Sequence, residues 1–219
     1  MSVKFAEATT GAFSRAVSTS NLLARLVRLY LGLAGFGLSL ALMVRARLGL
    51  GPWDVLHQGI ARRLGVQIGW VVIAVSALVL LAWIPLKLRP GAGTVSNVVL
   101  IGVFTNLFLD LLRAPGGLAT RSIWVVTGIA LNAVSTALYI GARLGPGARD
   151  GLMVGLAARG HSIRVVRTAI ELSVLAIGFA LGGTVGVGTL AYALTIGPLV
   201  HLLLPVFGFR PRESEVSVK

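Results

Sequence analysis

The sequence predicts an all-α polytopic membrane bundle of about six transmembrane helices, built as two inverted three-helix repeats with a short broken or re-entrant helix in each. Three observations predict it. Sliding the chain against itself by 96 positions lays Gly32–Arg63 over Gly128–Arg159 with 15 identities in 32 places, and Asp54 falls on Asp150. Further along the offset shortens to 95, where Gly91-Ala92-Gly93-Thr94 lies over Gly186-Val187-Gly188-Thr189. Of the 219 residues 56% are hydrophobic and 12% charged, with a mean hydropathy of +0.89, which leaves too little polar surface to cover a water-soluble body. Finally, the apolar runs are long and do not alternate. Because hydrocarbon offers backbone N–H and C=O groups no partner, such runs cross a bilayer as helices.

Six runs come close to the ~20 residues that cross ~30 Å of hydrocarbon. Leu26–Val44 follows Arg25 and Arg28 and lacks a small-residue cleavage site, so it reads as an uncleaved first span; Gly32, Gly35 and Gly37 give it a close-packing face. Ile68–Leu88, Thr94–Leu112, Ile123–Ala142, Val165–Gly182 and Thr189–Phe209 follow. This divides the chain into a flexible cytoplasmic N-tail (1–24), a first membrane repeat (25–113), a linker (114–121), a second membrane repeat (122–209) and a C-tail (210–219). Three crossings per repeat force the second copy to enter from the opposite face. Between the first two spans of each repeat lies a short segment, Gly49–Gly65 or Gly145–Gly160, that opens on glycine and proline and carries an aspartate. Pro52 suits a first helical turn, where its missing N–H had no partner. Paired interrupted segments at equivalent places in two inverted halves point to a transporter's midplane site, since broken helices present N-terminal dipoles and free carbonyls to a solute.

The net charge of +13 would suggest nucleic acid in a soluble chain. Here the arginines gather at the ends of apolar runs, the pattern of topology determinants and anionic-lipid contacts, so nucleic acid is not an expected partner. Six spans with the N-terminus inside put 14 Lys/Arg on one side and 6 on the other, which favours cytoplasmic termini. Arg45, Arg47, Arg62 and Arg63 strain that assignment, because their loop falls outside. The absence of cysteine excludes disulfides, thiolate metal sites and cysteine nucleophiles.

The candidate solute-binding residues are Trp53, Asp54, His57 and Gln58 in the first short segment, Asp150 in the second, and the polar groups within spans: Asn106, Asn132, Glu171 and His201. Charged groups at mid-bilayer are costly and usually face a cavity or a partner. A structural alternative stands beside each. Asp54 and Asp150 also favour the starts of helices lying on the membrane surface, where pairs with Arg47 and Arg143 are open to them. Glu171 lies one turn after Arg167, a spacing that permits an ion pair. Asn132, Ser135, Thr136 and Tyr139 form a stripe in which hydroxyls pack helices together, and Asn106 and His201 occupy equivalent places in spans three and six. Three histidines without His-x-x-x-His spacing give no metal site, and no cofactor is expected.

The stretch Ala46-Arg-Leu-Gly-Leu-Gly-Pro-Trp-Asp-Val-Leu-His-Gln-Gly59, with Gly91-Ala-Gly-Thr94 and Ile101-Gly102 after it, resembles the YczE/YyaS/YitT family of bacterial integral membrane proteins, most of all its YczE branch. The likeness covers about residues 28–208, and its sharpest motif is Leu48, Gly49, Pro52, Trp53 and Asp54. The second copy keeps Leu144, Gly145 and Asp150 but replaces Pro-Trp by Ala148-Arg149. The resemblance implies a multi-pass bacterial plasma-membrane protein and does not imply a chemistry.

No P-loop, dinucleotide fingerprint, Gly-x-Ser-x-Gly elbow or carboxylate pair is present, so an enzyme is not expected. The expected function is a small-molecule or ion transporter with a central site between the repeats. A membrane-embedded solute-binding subunit of a multi-component transporter and a non-transport accessory or assembly factor are the alternatives. The expected partners are the bilayer with its anionic lipids and a small solute, and six short spans permit a homodimer.

Overall fold

The computed structural model describes residues 22–160 and 162–207, so most of the expected tails lie outside the described residues. The described residues form eight helices: α1 (Leu22–Ala46), α2 (Pro52–Leu64), α3 (Ile68–Leu81), α4 (Ala92–Leu111), α5 (Leu118–Gly141), α6 (Ala148–Ala157), α7 (Ile163–Ala180) and α8 (Val187–Leu203). Helices α1 and α2 begin 96 residues before α5 and α6, and α3 and α4 begin 95 before α7 and α8. The sequence repeat is therefore a four-helix structural repeat.

Three helices, α1, α4 and α5, are long and apolar enough to cross a membrane, and α2 with α3 makes a fourth apolar unit bent by 117°. Helix α8 reaches 17 residues, and α7 carries Arg164, Arg167 and Glu171 within its 18. Two expected spans end early. The run expected to Leu88 stops as a helix at Leu81 and continues as turns to Lys87. Pro85 explains it, because its ring clashes with the carbonyl four residues back, at Leu81. The run expected to Phe209 stops at Leu203, two residues before Pro205.

Contacts between the repeats come in reciprocal pairs. Arg25 at the start of α1 donates from Nε to Ala142 O (2.8 Å) and from Nη2 to Arg143 O (2.7 Å), at the end of α5. Arg121, 96 positions later, donates from Nε to Ala46 O (2.6 Å) and from Nη2 to Arg47 O (3.0 Å), at the end of α1. Each guanidinium thus satisfies the orphan carbonyls and faces the negative dipole end of the other repeat's first helix. Start meets end both ways, so α1 and α5 run antiparallel. Gly93 N–H donates to Leu144 O and Gly188 N–H to Leu48 O, both at 2.8 Å, which sets α4 beginning where α5 ends and α8 beginning where α1 ends.

The same pairing holds in the connections. Arg47 and Arg143 adopt φ 55° and 54°, and Gly49 and Gly145 adopt φ 121° and 131°. At Gly49 the conformation and the crowding both require glycine: a Cβ would lie 2.7 Å from Thr189 N. Buried small residues let α1 and α5 approach closely, with Ser39 Oγ donating to Gly128 O at 2.6 Å. That is the packing expected where lipid supplies no hydrophobic drive between helices.

Candidate functional site at the meeting of two helix starts

After α1 the chain turns at Arg47 and runs extended and buried through Leu50 and Gly51 before α2 begins. Gly51 caps α2 with φ −60° and ψ 154°, Pro52 fills the first turn and Asp54 supplies its acid. Gly147 caps α6 with φ −60° and ψ 153°, and Asp150 is the acid of that first turn. Neither helix start carries a side-chain cap. Both starts lie within the protein: Pro52 to Val55 and Ala148 are buried, and Arg149 and Asp150 are half-buried.

The two starts meet. The Arg149 guanidinium sits 5.2 Å from the centre of the Trp53 ring, within the range of a cation–π contact. Since Arg149 occupies Trp53's place in the repeat, this contact joins equivalent positions of the two repeats. Arg149 Nη2 also lies 3.7 Å from Asp54 Oδ1, and His57 Nδ1 lies 3.3 Å from the same oxygen. Asp54 therefore pairs with Arg149 and not with Arg47. The His57 contact is close but poorly aligned for a hydrogen bond, and Asp54 Oδ1, both His57 ring nitrogens and Trp53 Nε1 are buried without a hydrogen-bond partner. Buried polar atoms of this kind are uncommon outside working sites.

On the other side, Tyr139 OH donates to Asp150 Oδ2 at 2.8 Å. Tyr192 OH donates to Asn132 Oδ1 at 3.3 Å, and its ring packs on Gly51. Trp53, Asp54, His57, Asn132 and Asp150 thus gather around one centre, where the two helix starts meet. Gln58 borders it, with Oε1 accepting from Thr184 N at 2.6 Å. Glu171 holds the ion pair its spacing permits, 2.9 Å from Arg167 Nε. A cleft of about 240 Å³ beside the centre is lined by Asp150, Met153, Ile163, Arg164 and Arg167.

Two candidates lie elsewhere. Asn106 is buried against the start of α3, its Oδ1 accepting from Gly69 N at 2.8 Å. His201 is exposed in the last turn of α8, so these two candidates, equivalent in the repeat, do not sit in equivalent surroundings. Three members were missed as site residues: Arg149, Tyr139 and Tyr192. Arg149 carried a signal, since a cation at the aligned place of Trp53 is an unusual replacement; Tyr139 stood in the stripe on α5 but was read as packing.

Residues 23–205 match a family described as "Family of unknown function (DUF6198)". An "Uncharacterized protein" of Haemophilus influenzae is 44% identical over 184 residues, covering 84% of each chain. "Uncharacterized membrane protein YczE" of Bacillus subtilis is 32% identical over 172 residues, covering 78% of this chain and 80% of its own. "Uncharacterized protein YyaS" of Bacillus subtilis is 24% identical over 183 residues, covering 80% and 90%. No solved structure matches. The chain belongs to the DUF6198 family, as a helical, apolar membrane protein with YczE and YyaS among its relatives.

Proposed function

We propose that this member of the DUF6198 family is a small secondary transporter of the bacterial plasma membrane, moving a small polar solute or ion through a central site between two inverted repeats. One observation carries the proposal: equivalent positions of the two repeats, Trp53 and Arg149, touch where two helix starts converge. Half-helix starts facing each other at the middle of a bundle are the recurrent way a transporter offers dipoles to a solute inside a membrane.

The antiparallel course of α1 and α5 supports inversion. So does the course of α2 and α6, each preceded by an extended stretch that leads inward and each followed by a helix that leaves the centre. On this reading α1, α3 and α4 cross in the first repeat, α5, α7 and α8 in the second, and α2 and α6 are re-entrant. Arg164 and Arg167 of α7 then line the cleft beside Asp150, and Glu171 is neutralised by Arg167, which is how ionisable groups are tolerated at membrane depth. The centre holds both signs, Arg149 with the helix starts against Asp54 and Asp150, and so suits a zwitterionic or ionic solute. The cleft beside Asp150 gives that aspartate a route to one face while Asp54 stays closed off, the asymmetry that alternating access requires.

Purified protein is screened by thermal shift against a panel of small zwitterions, cations and anions, since a solute that binds the folded form raises Tm. Hits are then followed as counterflow in proteoliposomes. Autonomous flux that Asp54→Asn and Asp150→Asn each lower, at wild-type expression, is the expected result. Tight binding without flux would make the protein a solute-binding subunit, and neither binding nor flux would leave an assembly role; either outcome overturns the proposal.

A further inference from the structure

A second cavity, of about 450 Å³, opens where α1, α2 and α4 end and is lined by Arg45, Arg47, Arg62, Gln58, Gln67 and Asp110 over an apolar floor that includes Val44, Ala61 and Leu109. We propose that this cavity is a binding site for a phosphate-bearing anion, either a lipid headgroup or a free phosphate monoester. The inference does not require transport.

Charge is the first argument. Three arginines and one aspartate leave a surplus of two positive charges, and among the described residues none of the three arginines pairs with a carboxylate. Their fixed bonds go to neutral groups: Arg45 Nη2 donates to Leu109 O, while Arg62 donates from Nη1 to Gly182 O and from Nη2 to Thr184 Oγ1 at 3.0 Å. Arg45 Nε is buried with no hydrogen-bond partner. The Arg47 and Arg62 side chains are exposed at this cavity, and a guanidinium in a concave, partly apolar site presents the planar fork by which arginine takes phosphate oxygens. A dianionic monoester balances the surplus, and a monoanionic phosphodiester headgroup halves it.

The repeat supplies a second, independent argument. Residues that the shared fold needs recur in both halves, as Arg25 and Arg121 do. Here Arg45, Gln58, Arg62, Gln67 and Asp110 align with Gly141, Val154, Ala158, Ser162 and Pro205, and only Arg47 recurs, as Arg143. The fold is made without these groups in the second half. They therefore serve something particular to one end of the molecule, where positive-inside statistics give arginine no reason to collect. Asp110, bonded by Gln67 Nε2 at 3.2 Å, offers an acceptor to hydroxyl or ammonium groups beside the phosphate.

Full-length protein in detergent is titrated with inorganic phosphate and glycerol phosphate in one arm, and with phosphatidylglycerol or phosphatidylcholine in mixed micelles in the other, with Tm as readout. A saturable rise with either the free phosphates or phosphatidylglycerol is expected, and which arm responds identifies the source. Arg47→Gln and Arg62→Gln, on exposed side chains, should each weaken the apparent affinity about tenfold, and Arg45→Lys should weaken it less by keeping charge but losing the fork. Arg113→Gln, the same charge change at the end of α4 but outside the cavity, should shift it less than about twofold. No rise in either arm, equal response to phosphatidylcholine, or an equal loss in Arg113→Gln overturns the proposal.

Discussion

Replacing Arg149 by methionine tests the central contact, and the informative result is its rescue by a second substitution. Asp54 is buried, and the Arg149 guanidinium 3.7 Å away is its cationic partner. At that separation the Coulomb attraction is about 4 kcal/mol for an effective dielectric near 20. The Arg149 side chain is 21% exposed, so screening and desolvation reduce the net coupling to about 2 kcal/mol. Loss of the contact with Trp53 adds about 1 kcal/mol. Arg149→Met should therefore cost about 3 kcal/mol, near 10 °C in Tm for a chain of this size. Asp54→Asn alone should cost about 1 kcal/mol, because Arg149 still reaches solvent. The double variant should be about 1 kcal/mol more stable than Arg149→Met alone, since the stranded carboxylate is gone. Tm followed by tryptophan fluorescence, with a denaturant series for the cycle, measures all four corners. If the two costs add within about 0.5 kcal/mol, the groups are uncoupled and the geometry argued for the centre is wrong.

Arg25→Gln and Arg121→Gln each remove two bonds to the other repeat's carbonyls and should each lower stability by about 1–3 kcal/mol, nearly additively because they act at opposite ends of α1; a denaturant series on the single and double variants checks this. Gly49→Ala should cost more than about 2 kcal/mol or abolish folded yield in size-exclusion profiles, from its φ of 121° and the contact with Thr189. His201→Ala, on an exposed side chain outside the centre, should leave both Tm and solute binding at wild-type values in the same thermal-shift assay, and a loss of binding would return His201 to the site.

The helices were legible in the sequence because apolar runs, glycine–proline openings and the 96-residue repeat all bear on the same boundaries. Pro52 at the start of α2 is a local rule read correctly from residue type, and Gly65, the last residue of that segment, closes the helix in the left-handed conformation with φ 67°. The early end of α3 was legible too, in Pro85, but the apolar run past it outweighed the proline. Which face a span presents was not legible, because lipid-facing and protein-facing positions are both apolar, so the repeat offset paired His201 with Asn106 although one is exposed and the other buried. Arg149 was hidden for another reason. Repeat alignment tells which positions are equivalent, whereas the meeting of Trp53 with its own equivalent follows only once the two halves are folded against each other. Tyr192 entered the centre the same way, from a helix whose sequence shows no polar face.

The account rests on the two repeats entering the membrane from opposite sides, and the chain's lack of cysteine makes that measurable without background. Single cysteines at Val66, just beyond α2, and at Arg159, just beyond α6, both on exposed side chains, are labelled in intact cells with a membrane-impermeant maleimide, and again after permeabilisation. Labelling of one in intact cells and of the other only after permeabilisation is the predicted result. Labelling of both from the same side would contradict it, and with it the central site between inverted halves.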